Sequence, residues 1–132
     1  MKTERKKLVA ELDRVWSLVI RSKGHCECCE RTTGQFHAHH LFGRIRKSVR
    51  WNKANGVCLC VHCHRGLCHA VAYDNQVTFH QWLVRYKGQA ELDRLTQLSH
   101  QTKKYSITDL QNILDDLKGE KSEETEKRER TE

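Results

Sequence analysis

The chain has 132 residues, 37% hydrophobic and 31% charged, which suits one domain with a small core. Its formal net charge is +7, and no apolar run approaches the length of a membrane-spanning helix. The opening MKTERKKLVAELDRVWSLVI is interrupted by Glu11, Asp13 and Arg14, so it does not read as a signal peptide, and a cytoplasmic location is expected.

Leu8, Leu12, Val15, Trp16 and Val19 recur at helical spacing and predict an amphipathic helix over residues 3–21, closed by Ser22-Lys23-Gly24. Cys26-Glu27-Cys28-Cys29 follows as a tight turn of the metal-knuckle type. Residues 35–39 alternate as a short strand, 43–55 form a polar, basic connection, and Val57-Cys58-Leu59 supplies a partner strand. After Cys60-Val61-His62-Cys63 the chain is expected to run helical to about Tyr73, with Gly66 as the weak point. Phe79, Trp82, Leu83 and Tyr86 predict a helix ending near Gly88, with Phe79, Trp82 and Tyr86 buried. A further helix covers residues 90–98. Ser106-Ile107-Thr108-Asp109 reads as the cap of a last helix, with Leu110, Ile113, Leu114 and Leu117 on one face. Beyond Gly119 the sequence has mixed charge and no apolar residue, and it is read as disordered. The expected organisation is an N-terminal helix over 1–22, a metal-stapled core over 23–74, C-terminal helices over 75–118 and a charged tail over 119–132. The apolar faces of the end helices either pack on this core or offer a homodimer surface.

All seven cysteines and seven of the nine histidines fall between residues 25 and 69. Cys26-x-x-Cys29 and Cys60-x-x-Cys63 have the spacing with which a turn presents two sulfurs to one tetrahedral ion, so a four-cysteine structural zinc site is predicted. Disulfides are the minor alternative: the cysteine count is odd, and a reducing compartment keeps thiols free. Cys28 and Cys58 are left over. Cys28 competes weakly with Cys29, and Cys58 lies either near the metal or in the core. His37 shares strand parity with His39, while His25, His80 and His100 read as ordinary solvated or core histidines and His62 as exposed.

From Arg31 to Tyr73 there is no Asp or Glu, while Arg44, Arg46, Lys47, Arg50 and Lys53 crowd the connection after His40. Residues 119–132 carry six acids and four bases, which leaves +9 on the rest of the chain. A basic, carboxylate-free stretch beside clustered histidines points to phosphate contacts with nucleic acid, sequence-independent and salt-sensitive.

His39-His40, then Asn55, then Leu59-Cys60-x-x-Cys63-His64 resembles the HNH, or ββα-metal, endonuclease motif with attached zinc knuckles. The likeness covers residues 25–70, and the run HHLFGR…VRWNKANGVCLCVHCH is similar, more loosely, to small phage recombination nucleases. The resemblance implies an α+β fold: a ββα-metal core with a structural zinc, flanked by N- and C-terminal helices. It also implies hydrolysis of DNA phosphodiester bonds to 5′-phosphate and 3′-hydroxyl ends, in a bacterial or phage-infected cell. By the same likeness His40 would be the general base and Asn55 would hold the loop and orient His40 by hydrogen bonding. His39 and His64 would bind a catalytic divalent cation: magnesium, manganese, nickel or zinc. Helical spacing from His64 leads to Cys68, where members of the family commonly have histidine; His69, one step further, is favoured as third ligand and Cys68 is the alternative. The rival expectation is a non-catalytic zinc module that only binds nucleic acid.

Overall fold

The computed structural model describes residues 3–69 and 73–131, with side chains for these except residue 73 and residues 120–131. It is a small α+β structure. Helix α1 spans Glu4–Arg21, strands β1 and β2 are Phe36–His40 and Gly56–Cys60, and α2 is the single turn Val61–Cys63. A π-helical turn, His64–Cys68, continues α2; α3 is Tyr73–Lys87, α4 Gln89–Ser99 and α5 Ile107–Thr131. Among the described residues no helix is long and apolar enough to cross a membrane.

Thr3 caps α1 by accepting from the Lys6 N–H at 3.2 Å. The chain leaves α1 through Gly24 at φ 73°, a left-handed conformation that glycine adopts without strain. At the start of α5, the Asp109 N–H donates to Ser106 Oγ at 3.0 Å and Asp109 Oδ2 accepts from the Ser106 N–H at 2.9 Å. That reciprocal pair is the capping box expected from the sequence. The α5 backbone stays helical to Thr131, where the sequence reading has a disordered tail from Gly119. The segment contains no proline, and Glu, Lys and Arg are good helix formers, so the absence of an apolar face does not by itself end a helix.

The two strands pair antiparallel, with His40 opposite Gly56, Ala38 opposite Cys58 and Phe36 opposite Cys60. Every residue of β2 is buried, because the hairpin lies between two apolar layers. On one side Cys58 joins Leu12, Val15, Trp16 and Val19 of α1 and Leu110, Leu114 and Leu117 of α5. On the other, Val57 and Leu59 pack with Phe79 and Leu83 of α3 and Leu92 of α4. This answers the open position of Cys58, which is core. It also shows what the end helices cover: α1 and α5 bury their apolar faces on each other and on the hairpin. Trp82 is only half-buried, and Tyr86 departs further from expectation. It is 47% exposed, one turn beyond the buried Leu83, and its hydroxyl donates to Glu27 Oε1 at 2.6 Å.

Gly56 fits where α1 presses on β2. A Cβ there would stand 2.5 Å from Ile20 Cδ1 and 2.7 Å from Trp16 Cζ2, inside any real carbon–carbon contact. Both neighbours are buried, so neither can swing away. Gly56→Ala is expected to cost about 1–3 kcal/mol by overpacking, read as a lower urea midpoint at unchanged slope. An unchanged midpoint would show that α1 is free to shift off the hairpin.

Candidate metal centres

The first cluster forms where the turn after α1 meets the end of β2. Sγ atoms of Cys26, Cys29, Cys60 and Cys63 all lie within 4.8 Å of one another. Each C-x-x-C pair forms the same knuckle: the Cys29 N–H points at Cys26 Sγ and the Cys63 N–H at Cys60 Sγ, both at 3.5 Å. Cys29 Sγ and Cys60 Sγ are 3.7 Å apart. A tetrahedral zinc with bonds of about 2.3 Å spaces its sulfurs about 3.8 Å apart, so the residues fit the ion. Three of the four are buried, which suits a closed structural site. Burial opposes a thiolate at Cys60, yet the Cys63 N–H and the neighbouring sulfurs outweigh it and bring that thiol down to about 7. Cys28 stands outside the four. Burial, ahead of the Cys63 contact, raises its pKa and leaves it a thiol.

The second cluster joins β1 to the turn after α2. Alternation along β1 sends His37 and His39 to one face and His40 to the other. Ligand atoms of His39, His64, Cys68 and His69 all lie within 4.8 Å of one another. His64 Nε2 is 3.0 Å from His69 Nε2, and His39 Nε2 is 2.9 Å from Cys68 Sγ. The structure therefore brings together both candidates for the third ligand, and the reason is the π-helical turn. The His69 N–H bonds to the His64 carbonyl, five residues back, at 3.1 Å. In an α-helix only Cys68, four residues on, would share the face of His64. The extra residue per turn swings His69 onto that face as well. The continuous helix expected from Cys63 to Tyr73 is corrected to this point; its remainder, residues 70–72, lies outside the described residues.

His37, given no role by the sequence reading, sits 2.8 Å from His64 through the two Nδ1 atoms. It holds the ring nitrogen of His64 that faces away from the cluster, the usual way a ligating histidine is oriented. Strand parity was the only signal for it. Burial, then the neighbouring histidines, lower His39 to about 3 and His64 to about 4. Both imidazoles are therefore neutral at physiological pH, with lone pairs open to a cation.

His40 occupies the opposite face of β1. Its ring stacks on Trp16 at 3.8 Å between centroids, 11° from parallel. Its Nε2 lies 3.0 Å from the Arg50 carbonyl. A carbonyl only accepts, so Nε2 carries the proton and Nδ1 the lone pair. Burial depresses its pKa, only partly offset by the Arg50 carbonyl and Asp13. Asn55 is completely buried. Its Oδ1 accepts from the Phe42 N–H at 2.8 Å and its Nδ2 donates to the Phe42 carbonyl at 3.0 Å. It holds the loop, as expected. The bond that orients His40 goes instead to the Arg50 carbonyl, while the Asn55 amide bonds to Phe42.

The five basic residues after His40 do not form one surface. Arg44, Lys47 and Arg50 line a cavity between α1 and the α4–α5 connection. Arg46 is exposed and absent from that lining, and Lys53 lines a separate depression with Lys23, Glu27 and Lys87. Arg50 is 15% exposed and forks onto Asp13, Nε to Oδ1 at 3.1 Å and Nη2 to Oδ2 at 2.7 Å. Trp51 Nε1 and Arg44 also donate to Asp13. Burial would raise the Asp13 pKa, but the Arg50 and Trp51 bonds win and lower it. Arg50 is thus first a strut between the loop and α1.

Comparison with protein-family models, with curated proteins and with solved structures found no match to this chain.

Proposed function

We propose that the protein is a metal-dependent endonuclease of the HNH type, hydrolysing DNA phosphodiester bonds, with the four-cysteine zinc as its scaffold. The observation that carries this reading is the second cluster, with His39 and His64 among its ligand atoms and His40 next along β1 in a fixed tautomer. A cation held by His39 and His64, with His69 or Cys68, supplies charge neutralisation at the scissile phosphate and its leaving oxygen. Imidazoles alone admit magnesium, manganese, nickel or zinc, and a thiolate at Cys68 biases the choice to zinc. His40, neutral and unprotonated at Nδ1, takes the proton from attacking water. Asn55 fixes the loop that follows the pair, and the basic side chains hold the backbone of the nucleic acid.

Supercoiled plasmid incubated with the zinc-loaded protein and a series of divalent metals tests the reading. Nicking is expected with at least one metal, and His64→Ala should abolish it while zinc on the four cysteines stays stoichiometric. No nicking under any metal would sink it.

One observation favours a second reading. Three imidazoles and a thiolate make four protein ligands, and a zinc site with four has no open position for substrate. A protein with two closed zinc sites would be a binding module only. It would take up two zinc ions, bind DNA and leave plasmid intact.

A further inference from the structure

The cavity between α1, the loop after β1 and the α4–α5 connection has features that cleavage chemistry does not require. Its volume is about 650 Å³. Its cationic wall comes from three distant parts of the chain: Arg5 and Lys6 on α1, Arg44, Lys47 and Arg50 on the loop, Lys103 and Lys104 on the α4–α5 connection. Asp13 is the one carboxylate in the lining, and it is already shared between Arg50, Arg44 and Trp51. The rest of the lining is apolar or aromatic: Val9, Ala10 and Leu110 with the rings of Trp51 and Tyr105, whose centroids are 5.9 Å apart. Tyr105 is tied to the loop by its hydroxyl, which donates to the Lys47 carbonyl at 3.2 Å.

A ligand that satisfies both surfaces is anionic at one end and flat and apolar at the other. A duplex shows phosphates outward and keeps its bases stacked, so it would engage the cations and leave the apolar part of the lining unused. An unpaired nucleotide meets both, with phosphate on the lysines and arginines and base against the rings. Arg50 links the cavity to the candidate base, since it lines the one and its carbonyl accepts from His40. We propose that this cavity seats an unpaired nucleotide of the nucleic-acid substrate, so that the protein prefers single-stranded segments or overhangs to blunt duplex. The proposal rests on the nucleic-acid reading above but not on cleavage.

The test uses zinc-loaded full-length protein and nuclease-resistant phosphorothioate oligonucleotides, single-stranded, overhung and blunt, read by fluorescence anisotropy. Tighter binding is expected for the single-stranded and overhung forms. Lys103→Glu with Lys104→Glu should weaken that binding at least about tenfold and flatten the dependence of log affinity on log salt by roughly 1.4, two single-strand phosphate contacts. Arg85→Glu, at an exposed position of α3 outside the lining, should leave the preference unchanged. Photo-crosslinking from 5-iodouracil should map to Tyr105 or Trp51. Equal affinity for blunt and single-stranded DNA, or crosslinks only at other residues, would overturn the proposal. So would an unaltered DNA affinity in the lysine double variant with lost binding to phosphatidylserine vesicles, which would assign the cavity to a lipid surface. A protein that shows the preference and never cuts would remove the nuclease reading and keep the seat.

Discussion

Cys60→Ser is expected to abolish cooperative unfolding, and removal of zinc by a strong chelator should do the same to the wild-type chain. Residues 22–35 contain no helix or strand, yet this segment covers one end of the hairpin. Its hydrogen bonds to the hairpin and to α3 run through Glu27: the Glu27 N–H to the Cys58 carbonyl, Glu27 Oε2 accepting from the Cys58 N–H at 2.6 Å, and Glu27 Oε1 accepting from the Tyr86 hydroxyl at 2.6 Å. Such bonds contribute about 1 kcal/mol net each between neutral groups and about 1.5–3 where a carboxylate accepts. A structural zinc contributes about 10 kcal/mol or more to folding, comparable with the whole stability of a small domain. Cys60 joins both halves of the centre, since its Sγ accepts from the Cys63 N–H and faces Cys29. Calorimetry and metal analysis check the prediction. Wild type should hold zinc stoichiometrically and melt in one transition, and the variant should lose both. A metal-free chain that melts at the wild-type temperature would show that the apolar layers suffice without the staple.

Local rules carried the hairpin and the four-cysteine cluster into view from the sequence. The knuckle spacing needs only a tight turn, the capping box needs only four residues, and α1 announces itself by its apolar period. Strand limits shifted by one residue, to Phe36–His40 and Gly56–Cys60, because pairing and not propensity sets them. The turn at His64–Cys68 was less legible. Gly66 signalled a weak helix, but no local pattern says that the weakness is resolved by a π-turn, and on that turn depends whether Cys68, His69 or both meet His64.

What stayed hidden in the sequence is what depends on distant partners. Arg50 reads as one more loop cation until Asp13, thirty-seven residues earlier, is seen to take its guanidinium. Arg5, Lys6, Lys103 and Lys104 look like solvated charge until folding lines them up with the loop. Tyr86 fits the buried period of α3, yet its hydroxyl needs the buried carboxylate of Glu27, and the ring is left half exposed. Periodicity describes a face and not its partner, so it finds the core and misses the polar links.

His40→Ala is expected to lower plasmid cleavage about 10²–10⁴-fold, the usual worth of a positioned general base, while zinc content and DNA affinity hold. The geometry defines what is lost. With Nε2–H committed to the Arg50 carbonyl, the only lone pair on the ring is at Nδ1, and the Trp16 stack keeps the ring from turning. Alanine removes the stack as well as the base, and a lower rate could then reflect a disturbed β1. His40→Gln separates the two effects. Its amide approximates the length of the imidazole and can still donate to the Arg50 carbonyl, but it accepts no proton at neutral pH. Both variants should therefore be equally slow, with the glutamine form melting closer to wild type. If His40→Gln cleaves at the wild-type rate, the stack and not the proton transfer is what His40 provides, and the base must be sought elsewhere.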